Sequence, residues 1–252
     1  MTSQSFLIVD DQPIFLEQAL RYLQSCGKLG IFIGDILRQH IIEQEQLKQG
    51  DPQIENALVE QAIIDFRIQS QLTDPKRFQE WLTSKGIDYP TFHNQFAFNF
   101  KLDKLKAQVT SAHLQNYYND RKIFLDRVVL SRIIVDNPEV AEELREQIET
   151  GDTFEQVARE HSLTEERLAN GMMGAISMGT LPEPLQSEVK KAEVGTILGP
   201  LQVEGRWGLF RVEQFLPSSL EDVQVRQALQ NELFERWLGE RLQKLNVKLQ
   251  VS

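Results

Sequence analysis

Two kinds of apolar spacing divide the chain. From residue 13 to residue 48 apolar positions recur every three or four residues. Ile14, Ala19, Tyr22, Leu23 and Cys26 form one set, and Ile33, Ile36, Leu37, Ile41 and Leu47 another, with Gly27 and Gly30 between them. That period predicts amphipathic helices, the first opened by Pro13 and capped by Asp10 or Asp11. Ile54, Leu58, Ala62, Ile63 and Phe66 continue the pattern from Pro52 to Gln71. Asp74-Pro75 opens a helix carrying Phe78, Trp81 and Leu82, and Gly86 ends it. Ile87 to Thr91 is a turn. Beyond it Phe92, Phe96 and Phe100 fall one turn apart on one helix face. That spacing predicts core packing, with a greasy groove for peptides as the alternative.

At residue 128 the pattern changes. Val128 to Val135 is a nearly continuous apolar run, and Arg206 to Phe215 is a second. Both read as strands. Between them, Asp136-Asn-Pro-Glu139 starts a helix with Val140, Leu144 and Ile148 as its buried stripe and Gly151 as its stop. Asp152 to Glu155 reads as a capping box, followed by Phe154, Val157 and Ala158 facing inward. Ser162 opens a short bend. Gly171, Gly174 and Gly179 predict a loop, Pro182 starts a helix with Leu185 and Val189, and Ile197 to Val203 is a strand interrupted at Gly199-Pro200. Glu204-Gly205 is a hairpin turn. After Pro217, Ser218 to Asp222 caps a last helix striped by Val225, Leu229, Leu233, Trp237, Leu242 and Leu245, and Val247 to Val251 reads as a short strand.

Charge and residue usage narrow the function. A formal net charge of −10 repels a phosphate backbone, which argues against nucleic acid as a partner. Cys26 is the one cysteine, so no intrachain disulfide forms. His40, His93, His113 and His161 show no metal-binding spacing, and no phosphate-loop, dinucleotide or nucleophile-elbow motif occurs, so neither metal nor cofactor is expected. No apolar run has the length of a membrane span. The first residues lack a basic n-region and a long apolar stretch, so a cytoplasmic protein is expected. Phe6 to Phe15, a strand followed by an acidic pair, resembles the opening of a response-regulator receiver domain. That domain needs a second buried strand some forty residues on, and residues 46–53 are polar.

The stretch 127–217 resembles a parvulin-type peptidyl-prolyl isomerase domain. The carrying features are the opening strand, Gly151-Asp-Thr-Phe154, the bend at Ser162, Gly171-Met-Met-Gly174, the helix after Pro182, Glu193-Val-Gly195 and Trp207-Gly-Leu209. The helices before it resemble the N-terminal region of SurA-type and PrsA-type foldases. By that resemblance the fold is α+β: a mostly helical chaperone-like module with an inserted parvulin-like domain, a small antiparallel sheet plus helices. Residues 1–126 are then the helical module, 127–217 the isomerase-like domain, and 218–252 a C-terminal helix that returns to the module. The resemblance also carries over a site. The family's two histidines fall on Arg132 and Phe210, and its Cys or Asp on Thr164. Its apolar pocket wall falls on Met173, Leu181 and Leu185. All three polar positions are substituted, so the implied activity on X-Pro bonds of unfolded or proline-containing polypeptide clients is weakened. Two alternatives stand beside it: a non-catalytic chaperone, and a dedicated partner in maturation or export. The aromatic faces of the helical module, with Trp81, Phe92, Phe96 and Phe100, are the expected client surface.

Overall fold

The structure, a computed structural model, describes residues 5–48, 50 and 54–249. It forms two compact units, one of residues 1–113 with 230–252, the other of residues 114–229.

The first unit opens with a hairpin, not with the capped helix read from Asp10 and Pro13. Strands β1 (Leu7–Val9) and β2 (Gln12–Ile14) pair antiparallel, and Pro13 lies within β2. Asp10 and Asp11 form the two-residue turn with φ of 48° and 62°. Aspartate tolerates this left-handed conformation because its short side chain can bond locally, and two such residues match the strand twist. Helices α1 (Leu16–Ser25), α2 (Leu29–Lys48), α3 (Asn56–Gln69), α4 (Pro75–Ser84) and α5 (Tyr89–Leu125) follow. The predicted Pro52 start lies outside the described residues, while Asp74 caps α4 as expected, accepting from the Arg77 N–H at 2.9 Å.

Phe92, Phe96 and Phe100 pack with Val59, Ile63, Phe78 and Leu82 in one apolar cluster. Phe66 makes tilted or edge contacts with Trp81, Phe92 and Phe96 at centroid distances of 5.4–5.8 Å. These rings therefore spend much of their surface on each other. Ile41, Ile42 and Leu105 form a second cluster with Phe234 and Leu238 of α9 (Val223–Leu242). The stripe of α9 is buried at Leu229, Leu233, Phe234 and Leu238, while Leu245 is exposed. Leu245 lies past the end of α9, and Phe234 and Leu238 pack beside the expected Trp237 and Leu242. Val247 to Leu249 form no strand, and the rest of that segment lies outside the described residues.

The second unit is built on a four-stranded antiparallel sheet of β3 (Arg127–Val135), β4 (Met172–Ser177), β5 (Ile197–Val203) and β6 (Arg206–Leu216), in the order β4-β3-β6-β5. The segment read as a glycine loop is thus a strand in part: β4 occupies Met172–Ser177, with Gly171 and Gly174 at φ of 84° and 80°. Gly171 is required by close approach. The Arg132 N–H donates to its carbonyl at 2.8 Å, and a Cβ at Gly171 would lie 2.7 Å from the Arg132 carbonyl oxygen.

Strand alternation sends β3 side chains to two clusters. Ile133 and Val135, with Leu209, meet α6 (Pro138–Thr150) and α7 (Phe154–His161) through Ala141, Leu144, Phe154, Val157 and Ala158. Val128, Leu130 and Ile134 meet Phe210, Val212, Leu181 and α8 (Glu183–Val189). Asn137 caps α6 and Gly151 ends it, as predicted. The cap of α7 is Thr153, which accepts from the Gln156 N–H, one residue later than the expected Asp152–Glu155 box. Thr and Gln three apart are also a capping pair.

The chain enters and leaves the sheet at one tie. The Asp126 carboxylate accepts from Lys122 Nζ at 2.8 Å, from the Ser218 N–H at 2.8 Å and from Ser218 Oγ at 2.7 Å. The Tyr118 hydroxyl donates to the Ser218 carbonyl at 2.7 Å. Ser218, the first residue of the segment expected to cap the last helix, is used here, and the cap falls to that segment's last. Asp222 bonds the Gln224 N–H at the head of α9.

Candidate active site

The sheet register brings two of the expected positions together. Arg132 on β3 pairs directly with Phe210 on β6. Directly opposed residues share a face. That face is the one carrying Leu130, Ile134 and α8, so Arg132, Phe210, Leu181 and Leu185 belong to one side of the sheet.

Their environments differ. The Phe210 side chain is 1% exposed and packs in the cluster that holds Leu181 and Leu185, themselves 8% and 2% exposed. Met173 is half-buried against the same cluster. Three positions expected to line a pocket therefore do meet, and an aromatic ring is packed among them. Gly208 makes room for it. A Cβ there would lie 2.7 Å from the Phe210 ring and 2.9 Å from Ile134 Cδ1. Neither neighbour can swing away from a filled core, so Gly208→Ala is expected to destabilise the domain by about 1–2 kcal/mol through overpacking. Urea unfolding of wild type and variant reads this as a lower midpoint at an unchanged slope.

Arg132 is half-buried and ion-paired. One terminal nitrogen of its guanidinium donates to Glu166 Oε1 at 2.7 Å. Its Nε is buried and has no hydrogen-bond partner. Burial pushes the Glu166 carboxyl up, but hydrogen bonds from its own backbone, Arg132 and Thr164 outweigh burial and hold it below the usual carboxylate range. Thr164 Oγ1 lies 3.2 Å from Ser162 Oγ, which accepts from the Ile134 N–H at 3.1 Å. Thr164 thus joins Arg132 and Glu166 in a polar string running from the bend at Ser162 onto β3. Sequence reasoning missed Glu166. Its signal is an acid at the head of the turn Glu165–Ala169, two residues after Thr164, and nothing in the sequence tells it apart from Glu165 beside it.

Chemically, this face offers an apolar wall with a permanent, paired cation at its edge. Arginine donates only and cannot be deprotonated. Phenylalanine neither donates nor accepts a conventional hydrogen bond. No proton-transfer pair is present at Arg132 and Phe210, the two positions expected from the resemblance to match the family's histidines. Among the described residues no group of three or more His, Cys, Asp or Glu side chains could hold a metal ion, and no helix is long and apolar enough to cross a membrane.

Residues 136–214 match the rotamase family, described as the PPIC-type PPIase domain. The chain is 24% identical over 190 residues to the foldase protein PrsA 2 of Bacillus anthracis, covering 70% of this chain and 64% of that one. It is 24% identical over 243 residues to the chaperone SurA of Pseudomonas aeruginosa, covering 82% of this chain and 58% of SurA. It therefore spans somewhat less than two thirds of the curated relatives it matches. The crystal structure of the peptidylprolyl isomerase PrsA from Bacillus cereus superposes with a TM-score of 0.52 at 14% identity, over 99% of this chain and 95% of that one, a likeness of fold. Residues 136–214 are thus a PPIC-type parvulin domain, carried by a chain related to the PrsA and SurA foldases.

Proposed function

We propose that the chain is a peptidyl-prolyl isomerase and foldase acting on X-Pro bonds of client polypeptides, with catalysis weakened at its own site. The parvulin domain supports the reaction, and one observation carries its weakness: the Phe210 ring is buried among the side chains that would hold a prolyl ring. We further propose that 127–217 is an insertion between the helical residues 1–126 and the C-terminal segment 218–252.

The reaction is rotation about a tertiary amide. Its barrier of about 18–20 kcal/mol comes from the partial double bond, and no covalent bond is broken. A site accelerates it by removing water and favouring the twisted amide, which has lost resonance and polarity. Met173, Leu181 and Leu185 supply the desolvating wall, Thr164 a neutral hydroxyl, and Arg132 a donor beside it. The same burial of Phe210 favours a second reading, in which the domain holds extended chain without turning the bond.

Isomerisation of X-Pro tetrapeptides with varied X tests the reading. Slow but measurable acceleration, well below an ordinary parvulin and lost in Leu181→Ala, is expected. A wild-type rate equal to ordinary parvulins would sink the weakened-site reading, and no acceleration for any X would leave the non-catalytic one.

A further inference from the structure

The last turn of α5 ends beside the candidate site. Phe124 is the next-to-last residue of that helix, and it is 55% exposed. A single apolar side chain at a surface is ordinary and by itself signifies nothing. What sets Phe124 apart is the surface beneath it. Its ring packs against the Cα of Gly179, where an added Cβ would collide with three ring atoms, Cδ1, Cε1 and Cγ. Gly179 has no positive φ, so its backbone could carry any residue, and it is the ring that requires glycine.

Hydrogen bonds fix this contact on both sides. Ser177 Oγ donates to the Phe124 carbonyl at 2.8 Å, and the Met178 N–H donates to the Asp126 carbonyl at 2.9 Å. Ile123 packs into the cluster of Met178, Leu181, Leu185 and Phe210. The end of α5 is thus bonded to the turn Met178–Thr180, which leads directly into Leu181. All of these residues lie in the second unit. Gly179 and Leu181 are two residues apart, so their Cα atoms are separated by at most about 7 Å. An extended polypeptide advances about 3.3 Å per residue. A chain with its proline on the Leu181–Leu185 wall therefore reaches the Phe124 ring within two or three residues.

The filled wall gives that ring a task. Phe210 is buried among the wall residues, so a prolyl ring gains less burial there and the hold on a client falls to the surface next to it. Phe124 suits this. One side of its ring is spent on Gly179, and the bonds around it fix the ring in place, so little freedom is lost when a client side chain covers the rest. A client ring would pair with it in edge or offset contact.

We propose, resting on the isomerase and foldase reading of that wall, that Phe124 is a specificity-determining residue. It selects X-Pro clients that carry a large apolar side chain, an aromatic one above all, two or three residues from the proline.

Fluorescence-anisotropy titrations of the full chain with short labelled peptides test this. One peptide surrounds a central Ala-Pro with alanines, and four others place Phe two or three residues before or after the proline. Wild type should bind the best Phe peptide about tenfold more tightly than the alanine peptide. Phe124→Ala should bring that ratio to about one, and Phe124→Tyr should keep it. Gly179→Ala, which displaces the ring without altering it, should reduce it. The ratio compares two peptides on one protein, so a variant that only loosened the domain would weaken both and leave the ratio as it was. Leu181→Ala should weaken every peptide alike. No gain from Phe at any of the four positions, or a gain that survives Phe124→Ala, would overturn the proposal. In that case, affinity still lost in Leu181→Ala would leave the wall reading standing. A Phe124-dependent gain in peptides indifferent to Leu181→Ala would do the reverse, keeping the ring as a peptide contact and sinking the wall. No affinity for any peptide would overturn both.

Discussion

Replacing Arg132 and Phe210 together by histidine is expected to raise kcat/KM on X-Pro peptides by about a hundredfold, the lower end of what positioned polar groups contribute. The two residues are cross-strand partners on one face, so both imidazoles would enter the same space. Phe210→His removes the ring packed among Leu181 and Leu185 and opens volume where a prolyl ring can sit. Arg132→His frees the Glu166 carboxylate, which can then orient the new imidazole in place of the guanidinium. Arg132→His alone should change little, because Phe210 still fills the wall. The double variant loses stability, by about 2–4 kcal/mol for a large core ring made small and polar, so rates must be read on protein shown to be folded. A folded double variant no faster than wild type would mean that these positions do not govern the reaction.

The second large effect is expected at the tie beside the outer ends of β3 and β6. Asp126→Ala should cost about 1–2 kcal/mol at neutral pH, because it leaves the half-buried Ser218 N–H without its acceptor. The effect depends on pH with a fixed sign. Burial pushes the Asp126 carboxyl up, but hydrogen bonds from Lys122 and from the Ser218 backbone and hydroxyl hold it below its ordinary value of 3.8. Its folded-state value is therefore depressed relative to the unfolded chain. The stability it contributes is present above pH 3.8 and is lost as pH falls through the lower folded value. Thermal melts of wild type and Asp126→Asn should differ most above that pH and converge below it. A gap that widens on acidification would refute the assignment.

The parvulin half of the fold was legible because its signals are local. Val128 to Val135 and Arg206 to Phe215 are apolar on both faces, as strands covered on both sides must be, and Pro138, Gly151 and Gly205 sit at helix and hairpin ends. The hairpin at residues 7–14 was not legible. Pro13 reads as a helix opener, and only the paired left-handed aspartates, a property of backbone geometry, make it part of an edge strand. Gly171 and Gly174 suggested a loop because glycine marks both loops and close approaches, and the carbonyl of Arg132 that needs Gly171 is thirty-nine residues away in sequence. The apolar site positions were legible from order alone. The ion pair that replaces the expected polar ones was not, because Glu166 meets Arg132 only once the bend after α7 has folded.

The register that brings the head of β3 beside the tail of β6 also fixes how the sheet answers a pull. Arg127 at the head of β3 stands opposite Leu216 at the tail of β6. Tension applied through the flanking chain at Asp126 and Ser218 therefore loads the β3–β6 ladder one rung at a time from its mouth, as a zip opens. All rungs would bear the load together only if the ends lay at opposite poles. The Asp126–Ser218 hydrogen bonds are the stop on that zip. They are the first bonds to carry force, and the rungs from Arg127–Leu216 to Ser131–Arg211 behind them must open in turn before the one that joins Arg132 to Phe210, so a light pull would loosen the mouth of the sheet and leave the two halves of the candidate site together.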